Sequence, residues 1–189
     1  CAEREGFAVP LIVRVAGENG GERMLRVDGH HDLETLHAFP FDGRVFYLTD
    51  FVDCSDADGF FHRQRLAVID GEPMLRDALY DQNWIVHGAS RSFMLRRETW
   101  EDGKRHSRWL ESEVIPPLVP AIREITRRLR LEYYGIDCSL SPDGGMVVFE
   151  ANANMNILTN SHPELNERML GIKRRIQQML ARHSGESVI

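Results

Sequence analysis

The stretch Tyr134-Gly135-Ile136-Asp137-Cys138-Ser139-Leu140-Ser141-Pro142-Asp143-Gly144-Gly145-Met146-Val147-Val148-Phe149-Glu150-Ala151-Asn152-Ala153-Asn154 decides how this chain is read. Residues 136–140 predict one strand. Pro142-Asp143-Gly144-Gly145 predicts a turn, because Gly tolerates positive φ and Asp favours turn starts. Residues 146–150, rich in Val and Phe, predict the returning strand. Such a hairpin brings Asp137 near Glu150. Asn152 lies two residues beyond Glu150, so in extended chain both side chains share a face. Two carboxylates and an amide oxygen form a hard, all-oxygen donor set, the kind that suits Mg²⁺ or Mn²⁺ held with phosphates. Acids at strand ends are usually just solvated. Here Ile136, Leu140, Val147, Val148 and Phe149 surround them, and carboxylates at the end of an apolar sheet call for a partner.

Composition narrows the alternatives. With 189 residues, 42% of them hydrophobic, the chain suffices for one generous domain or two small lobes. No apolar run approaches a membrane span, and the start lacks a secretory-signal pattern. A net charge of −6 argues against a nucleic-acid surface. The Arg-rich stretches at 123–130 and 173–175 alternate with apolar residues and read as solvated helix faces. Cys1, Cys54 and Cys138 lack metal-ligand spacing and read as reduced thiols, which implies a cytoplasmic protein. Cys138 reads as a small core residue. The chain begins without Met in a strand-like pattern and reads as an excised domain, so an upstream part is expected.

Along the chain, residues 8–16 predict a buried strand running into the glycine-rich loop Gly17-Glu18-Asn19-Gly20-Gly21. Residues 24–27 predict the strand that leaves it, 32–39 a short helix, and 43–52 further strand. Residues 60–69 and 73–78 predict a hairpin about Asp70-Gly71-Glu72. Residues 80–101 are weakly patterned and predict loop. A helix is expected to begin near Trp109 and to break at Pro116-Pro117, with Pro117 and Pro120 suited to the first turn of the next. That next helix carries Leu118, Ile122, Ile125 and Leu129 at helical spacing. The last helix starts at Ser161-His162-Pro163 and buries Leu165, Met169, Ile172, Ile176 and Met179.

The Asp137 strand followed by Glu150-Ala151-Asn152 resembles the metal-binding end of the ATP-grasp superfamily, which includes D-alanine–D-alanine ligase, glutathione synthetase and ribosomal-protein glutamate ligases. The spacing, 150 − 137 = 13, suits that family. Many members follow the Asn with Pro-Gly, where this chain has Ala153-Asn154-Met155-Asn156. The resemblance implies an α+β, ATP-grasp fold: two α+β lobes with nucleotide between them, residues 1–50 and residues 51–189, the latter with the metal hairpin. It also implies that an N-terminal domain preceding the ATP-grasp lobes is missing.

The resemblance further implies roles. Asp137, Glu150 and Asn152 would ligate Mg²⁺ (or Mn²⁺). Arg14 and the loop glycines Gly17, Gly20 and Gly21 would meet the phosphates of ATP. Asp50, Phe51 and Val52 would run along the adenine edge. Asp53, Asp56 or Asp58 would take the ribose. Arg65 would hold the reacting phosphoryl group, with Arg76, Asn83 and His87 as lesser candidates. The implied function is an ATP-dependent carboxylate–amine or carboxylate–thiol ligase acting through an acyl phosphate on a small-molecule, amino-acid or peptide carboxylate. The alternatives are an inactive nucleotide-binding module and a small-molecule kinase on the same fold.

Overall fold

The computed structural model describes residues 6, 8–17, 23–29, 32, 35, 42–97, 100–141, 144–158 and 163–184. The chain divides into two compact units, Cys1–Asp53 and Cys54–Ile189. Both Gly20 and Gly21, most of the expected helix at 32–39, and Pro142-Asp143 of the hairpin turn lie outside the described residues. Among the described residues no helix is long and apolar enough to cross a membrane.

In the first unit, β1 (Leu11–Val15) is the middle strand of a sheet, flanked antiparallel by β2 (Met24–Val27) and β3 (Phe46–Asp50). Its period-two pattern puts Leu11, Val13 and Val15 inside. Leu11 and Val13 pack with Val27 as a small core.

The second unit is built on an antiparallel sheet of order β5-β4-β6-β7. Its strands are β4 (Phe61–Ile69), β5 (Glu72–Asp81), β6 (Tyr133–Leu140) and β7 (Met146–Asn152). Between β5 and β6 run α1 (Ser90–Arg97), α2 (Trp100–Trp109), a π turn at Leu110–Val114, a 3₁₀ turn at Pro116–Leu118 and α3 (Val119–Leu129). The final helix is α4 (Pro163–Ser184). The α1–α2 region corrects the expectation of loop at 80–101. Neither helix carries a wide apolar stripe, so hydrophobic periodicity missed both. Pairs one turn apart, Lys104 with Glu101 and Arg105 with Asp102, line the surface of α2 instead.

Apolar clusters cover both faces of this sheet. One packs Leu66, Val68, Leu75, Ile136, Cys138 and Leu140 against Leu110, Val114, Ile115, Leu118 and Ile122. Tyr134 is fully buried there, and its hydroxyl meets the Thr126 hydroxyl at 2.9 Å, which satisfies the polar tip. The opposite face buries Ala67 and Ile69 with Met155, Met169, Ile172 and Met179. The Met residues of α4 are core, as the sequence reading has them.

That second face has two ends. Ala67, Ile69 and Tyr133 make the apolar end with α4, while Arg65 and Asp137 continue the same face as a charged end. Gly135 is the junction. A Cβ there would lie 2.5 Å from the Met155 sulfur and 2.8 Å from Met155 Cβ. Gly135→Ala therefore forces Met155 off the sheet. We expect a loss of about 1–3 kcal/mol in urea unfolding, and an unchanged midpoint would contradict this packing.

Candidate functional site

The charged end is organised by strand register. Asp77 pairs with Arg65, Arg65 with Asp137, and Asp137 with Glu150, so four ionic side chains stand in one row across β5, β4, β6 and β7. Two register shifts make this row. In β6–β7 the shift falls between Asp137 and Cys138, so that Cys138 faces Val148 but Asp137 faces Glu150. Without it Asp137 would face Phe149. In β4–β5 the shift falls between Arg65 and Leu66, so that Leu66 faces Leu75 but Arg65 faces Asp77. Without it Arg65 would face Arg76. Bulges of this kind re-aim side chains, because a one-residue slip exchanges the two faces of a strand.

The expected trio is thereby brought to one face. Asp137 and Glu150 are direct cross-strand partners, a relation that places Cβ atoms about 4.5–5.5 Å apart. Asn152 pairs with Gly135, and its Nδ2 donates to Glu150 Oε1 at 3.4 Å. Asn152 Oδ1 accepts the Asn154 N–H at 2.8 Å. Glu150 and Asn152 are exposed, whereas the Asp137 side chain is 17% exposed.

The sequence reading placed Arg65 on a phosphate and Asp137 on a metal, as separate elements. The structure joins them. Arg65 Nε donates to Asp137 Oδ1 and Nη2 to Oδ2, both at 2.5 Å. These bonds raise the guanidinium above its ordinary range, against the opposing effect of burial. A carboxylate offers about four lone-pair sites, so a bidentate Arg leaves roughly two for another donor or cation. The acid of Glu150 stands opposite with no such fork. Two like charges directly across a strand pair repel. The all-oxygen character of the trio and that repulsion together fit a hard divalent cation. Among the described residues no three His, Cys, Asp or Glu side chains gather. The set here is two carboxylates and an amide.

Further groups surround the row. Asp77 accepts from Arg91 of α1 at 2.7 Å. Arg76 Nε donates to the Asn156 carbonyl at 2.7 Å. Arg63, two residues before Arg65 and on its face, has Nη1 3.9 Å from Asp137. Sequence reasoning passed over Arg63 and Asp77. The Arg63-x-Arg65 alternation was the available signal for one, but Asp77 needs the bulge to reach the row.

The lesser candidates are engaged locally. Asn83 Oδ1 accepts the Ile85 N–H at 3.0 Å, and His87 Nδ1 accepts the Ala89 N–H at 3.3 Å. Asp56 organises its own loop: Oδ1 accepts the N–H groups of Asp58 and Phe60, and Oδ2 meets His62 at 2.7 Å. Burial works against the charge of Asp56, but the bonds from His62, Phe60 and Asp58 hold its carboxyl below the usual range. A ribose role would compete with all of these contacts.

In the first unit, Arg14 is half-buried on β1 between Met24 and Tyr47. Gly17, just beyond, has φ +81°, a conformation that glycine adopts freely. Asp50 ends β3 opposite Leu11. The Phe51 N–H is taken by the Pro10 carbonyl at 3.1 Å, so an adenine edge would have to use other backbone groups of this segment. The Arg26 guanidinium lies 3.9 Å from the Phe51 ring centroid. Val52 and Asp53 are exposed.

A cavity of about 550 Å³ in the second unit is lined by Met74, Arg108, Glu111, Glu167 and Arg168 among others. It contains no member of the row, and its Arg168 is paired with Glu111 at 3.3 Å. The convergent chemistry lies on the sheet face rather than in this cavity.

No protein-family model matches the sequence, and no curated protein matches it. Solved structures similar to the chain include the ATP-grasp ligase PsnB complexed with a phosphomimetic variant of its minimal precursor, Mg and ADP. That match has TM-score 0.49 and 14% identity, and covers 94% of this chain and 49% of that one. Another is an ADP complex of N5-carboxyaminoimidazole ribonucleotide synthetase, with TM-score 0.46 and 12% identity over 87% of this chain and 41% of that one. A third is biotin carboxylase from Campylobacter jejuni in complex with a nucleotide, with TM-score 0.43 and 14% identity over 91% of this chain and 38% of that one. The chain spans about half or less of the length of each. Likeness at this level assigns no residue a role.

Two outcomes test the geometry directly. Arg65→Met strips the nearest cation from a largely buried carboxylate, so we expect a loss of about 1–3 kcal/mol in urea unfolding, part of which Asp137→Asn recovers in the same background. No loss would contradict the pair. Burial, then the charge of Asp137, push the Cys138 thiol up to about 12. Cys138 should therefore resist iodoacetamide at pH 8 in the native chain and react once unfolded, as peptide mass mapping would show.

Proposed function

We propose that this chain is an ATP-grasp domain that binds Mg–ATP and forms part of an ATP-dependent carboxylate–amine (or thiol) ligase. The observation that carries this reading is the direct opposition of Asp137 and Glu150 across β6 and β7, with Asn152 on the same face. In isolation the arrangement is repulsive. A divalent cation with attached phosphates turns the repulsion into ligation.

On this reading Asp137, Glu150 and Asn152 hold Mg²⁺, or Mn²⁺ in its place. When bound, the cation draws charge from the β- and γ-phosphates. Arg65 holds Asp137 in orientation and presents its remaining donors to the phosphoryl group, with Arg76 of β5 and Arg91 of α1 adding positive charge. Arg14, Gly20, Gly21, Asp50, Phe51, Val52 and Asp53 of the first unit are the proposed nucleotide contacts. The reaction is a pair of displacements. A substrate carboxylate oxygen attacks the γ-phosphorus, the bond to the β-phosphate oxygen breaks, and ADP leaves. An amine or thiol then attacks the acyl carbon and inorganic phosphate leaves. Neither step needs a covalent nucleophile from the chain, so its contribution is positioning and electrostatics. The carboxylate acceptor is a small molecule, an amino acid or a peptide.

The test is a calorimetric titration of the chain with ATP in the presence of Mg²⁺, for wild type and Glu150→Gln. The exchange keeps size and removes charge. Losing even an outer partner of a bound metal costs about 10–100-fold, so the variant should bind Mg–ATP at least about tenfold more weakly. Equal affinity would overturn the site.

A further inference from the structure

We infer that Arg63 is a second oxyanion-binding residue of this site, placed to donate to a phosphate oxygen beside the donors that Arg65 has left over from its grip on Asp137. The pairing on this face is unbalanced. Arg63 and Arg65 alternate on β4 and share a face. Both approach the same carboxylate, but Arg65 takes both oxygens of Asp137 at 2.5 Å while Arg63 stands 3.9 Å away. The Arg63 side chain is only 15% exposed, and its Nε is buried without a hydrogen-bond partner among the described residues. Burial, and then the neighbouring cations Arg65 and Arg76, push this guanidinium down, against the pull of Asp137 and Asp77.

The acids nearby are already committed. Asp77 is bonded to Arg91, and Asp137 to Arg65. Arg63 thus keeps only a long ion pair with Asp137, and an N–H of a charged group left without an acceptor out of water is costly to the fold. An anion with oxygens that match a planar fork would satisfy both the charge and the open N–H. Phosphate meets that description, as part of a nucleotide or as a free polyphosphate. The inference rests on the Mg–ATP reading only for which of these two sources applies. It adds a residue that the sequence reading did not assign.

Thermal unfolding and calorimetry on the 189-residue chain test it, with Arg63→Met and Arg63→Lys beside wild type and with ATP, ADP and tripolyphosphate as probes, each with Mg²⁺. Loss of a charge-assisted hydrogen bond corresponds to roughly a ten- to hundredfold loss of affinity. We expect Arg63→Met to show that loss for tripolyphosphate and ATP, and Arg63→Lys, which keeps charge but not the fork, a smaller one. Without any probe, Arg63→Met should melt no lower than wild type, because it removes a buried charge that has only a long ion pair and an N–H without an acceptor. A lowered melting temperature with unchanged affinity for every probe would mean a purely structural role and would overturn the inference. If wild type binds Mg–ATP and both variants bind it equally well, Arg63 is excluded while the nucleotide reading stands. If tripolyphosphate binds in an Arg63-dependent way but ATP gains nothing over it, the oxyanion role stands and the nucleotide reading falls. Wild type that binds none of the probes would overturn both.

Discussion

Two carboxylates set directly across a strand pair are the constraint around which the second unit is arranged. Asp137 and Glu150 repel at that spacing, and the sheet tolerates them because Arg65 neutralises one with a two-pronged bond. The neutralisation extends sideways. Asp77 lies across from Arg65 in the register, and Arg91 closes the far end from α1. Within the row, each of Asp77, Arg65 and Asp137 has a bonded or cross-strand neighbour of opposite sign, and at the exposed Glu150 edge solvent or a cation completes the set.

This chemistry needs a rigid platform, and the platform comes from burial on the other side and at the other end. Leu66 and Ile136, next to Arg65 and Asp137 in the chain, are fully buried on the opposite face. The charged side chains therefore cannot turn inward without dragging core residues out. At the apolar end, Met155 closes over Gly135, and Tyr133 donates its hydroxyl to the Met155 carbonyl at 2.9 Å. The chain leaving β7 is thus tied back to β6 immediately past Asn152. Packing fixes the donors in place, and their charge then decides what they can hold.

The hairpin was legible because Val147, Val148 and Phe149 mark a strand and a Gly-rich turn precedes them. The shared face of Glu150 and Asn152 followed from a period of two. The opposition of Asp137 to Glu150, in contrast, depends on an extra residue that no periodicity announces. A regular continuation of the Leu140–Met146 register would have set Phe149 there instead. Asp77 was illegible for the same reason, since only the slip after Arg65 brings it into line. The helices at Ser90–Arg97 and Trp100–Trp109 escaped notice because neither carries a wide apolar stripe, and in the second charge pairs carry the period instead. Arg63 was visible as a residue but not as a surplus. The open Nε–H that marks it is a property of three dimensions.

Both slips occur in β5 and β7, the outer strands of the sheet. An outer strand exposes unpaired backbone groups that another chain can adopt as a template for stacking. Interrupting the ladder there makes continuous pairing with a neighbour harder. The irregularities that aim the acids toward one face thus also make those sheet margins poorer templates for a neighbouring strand.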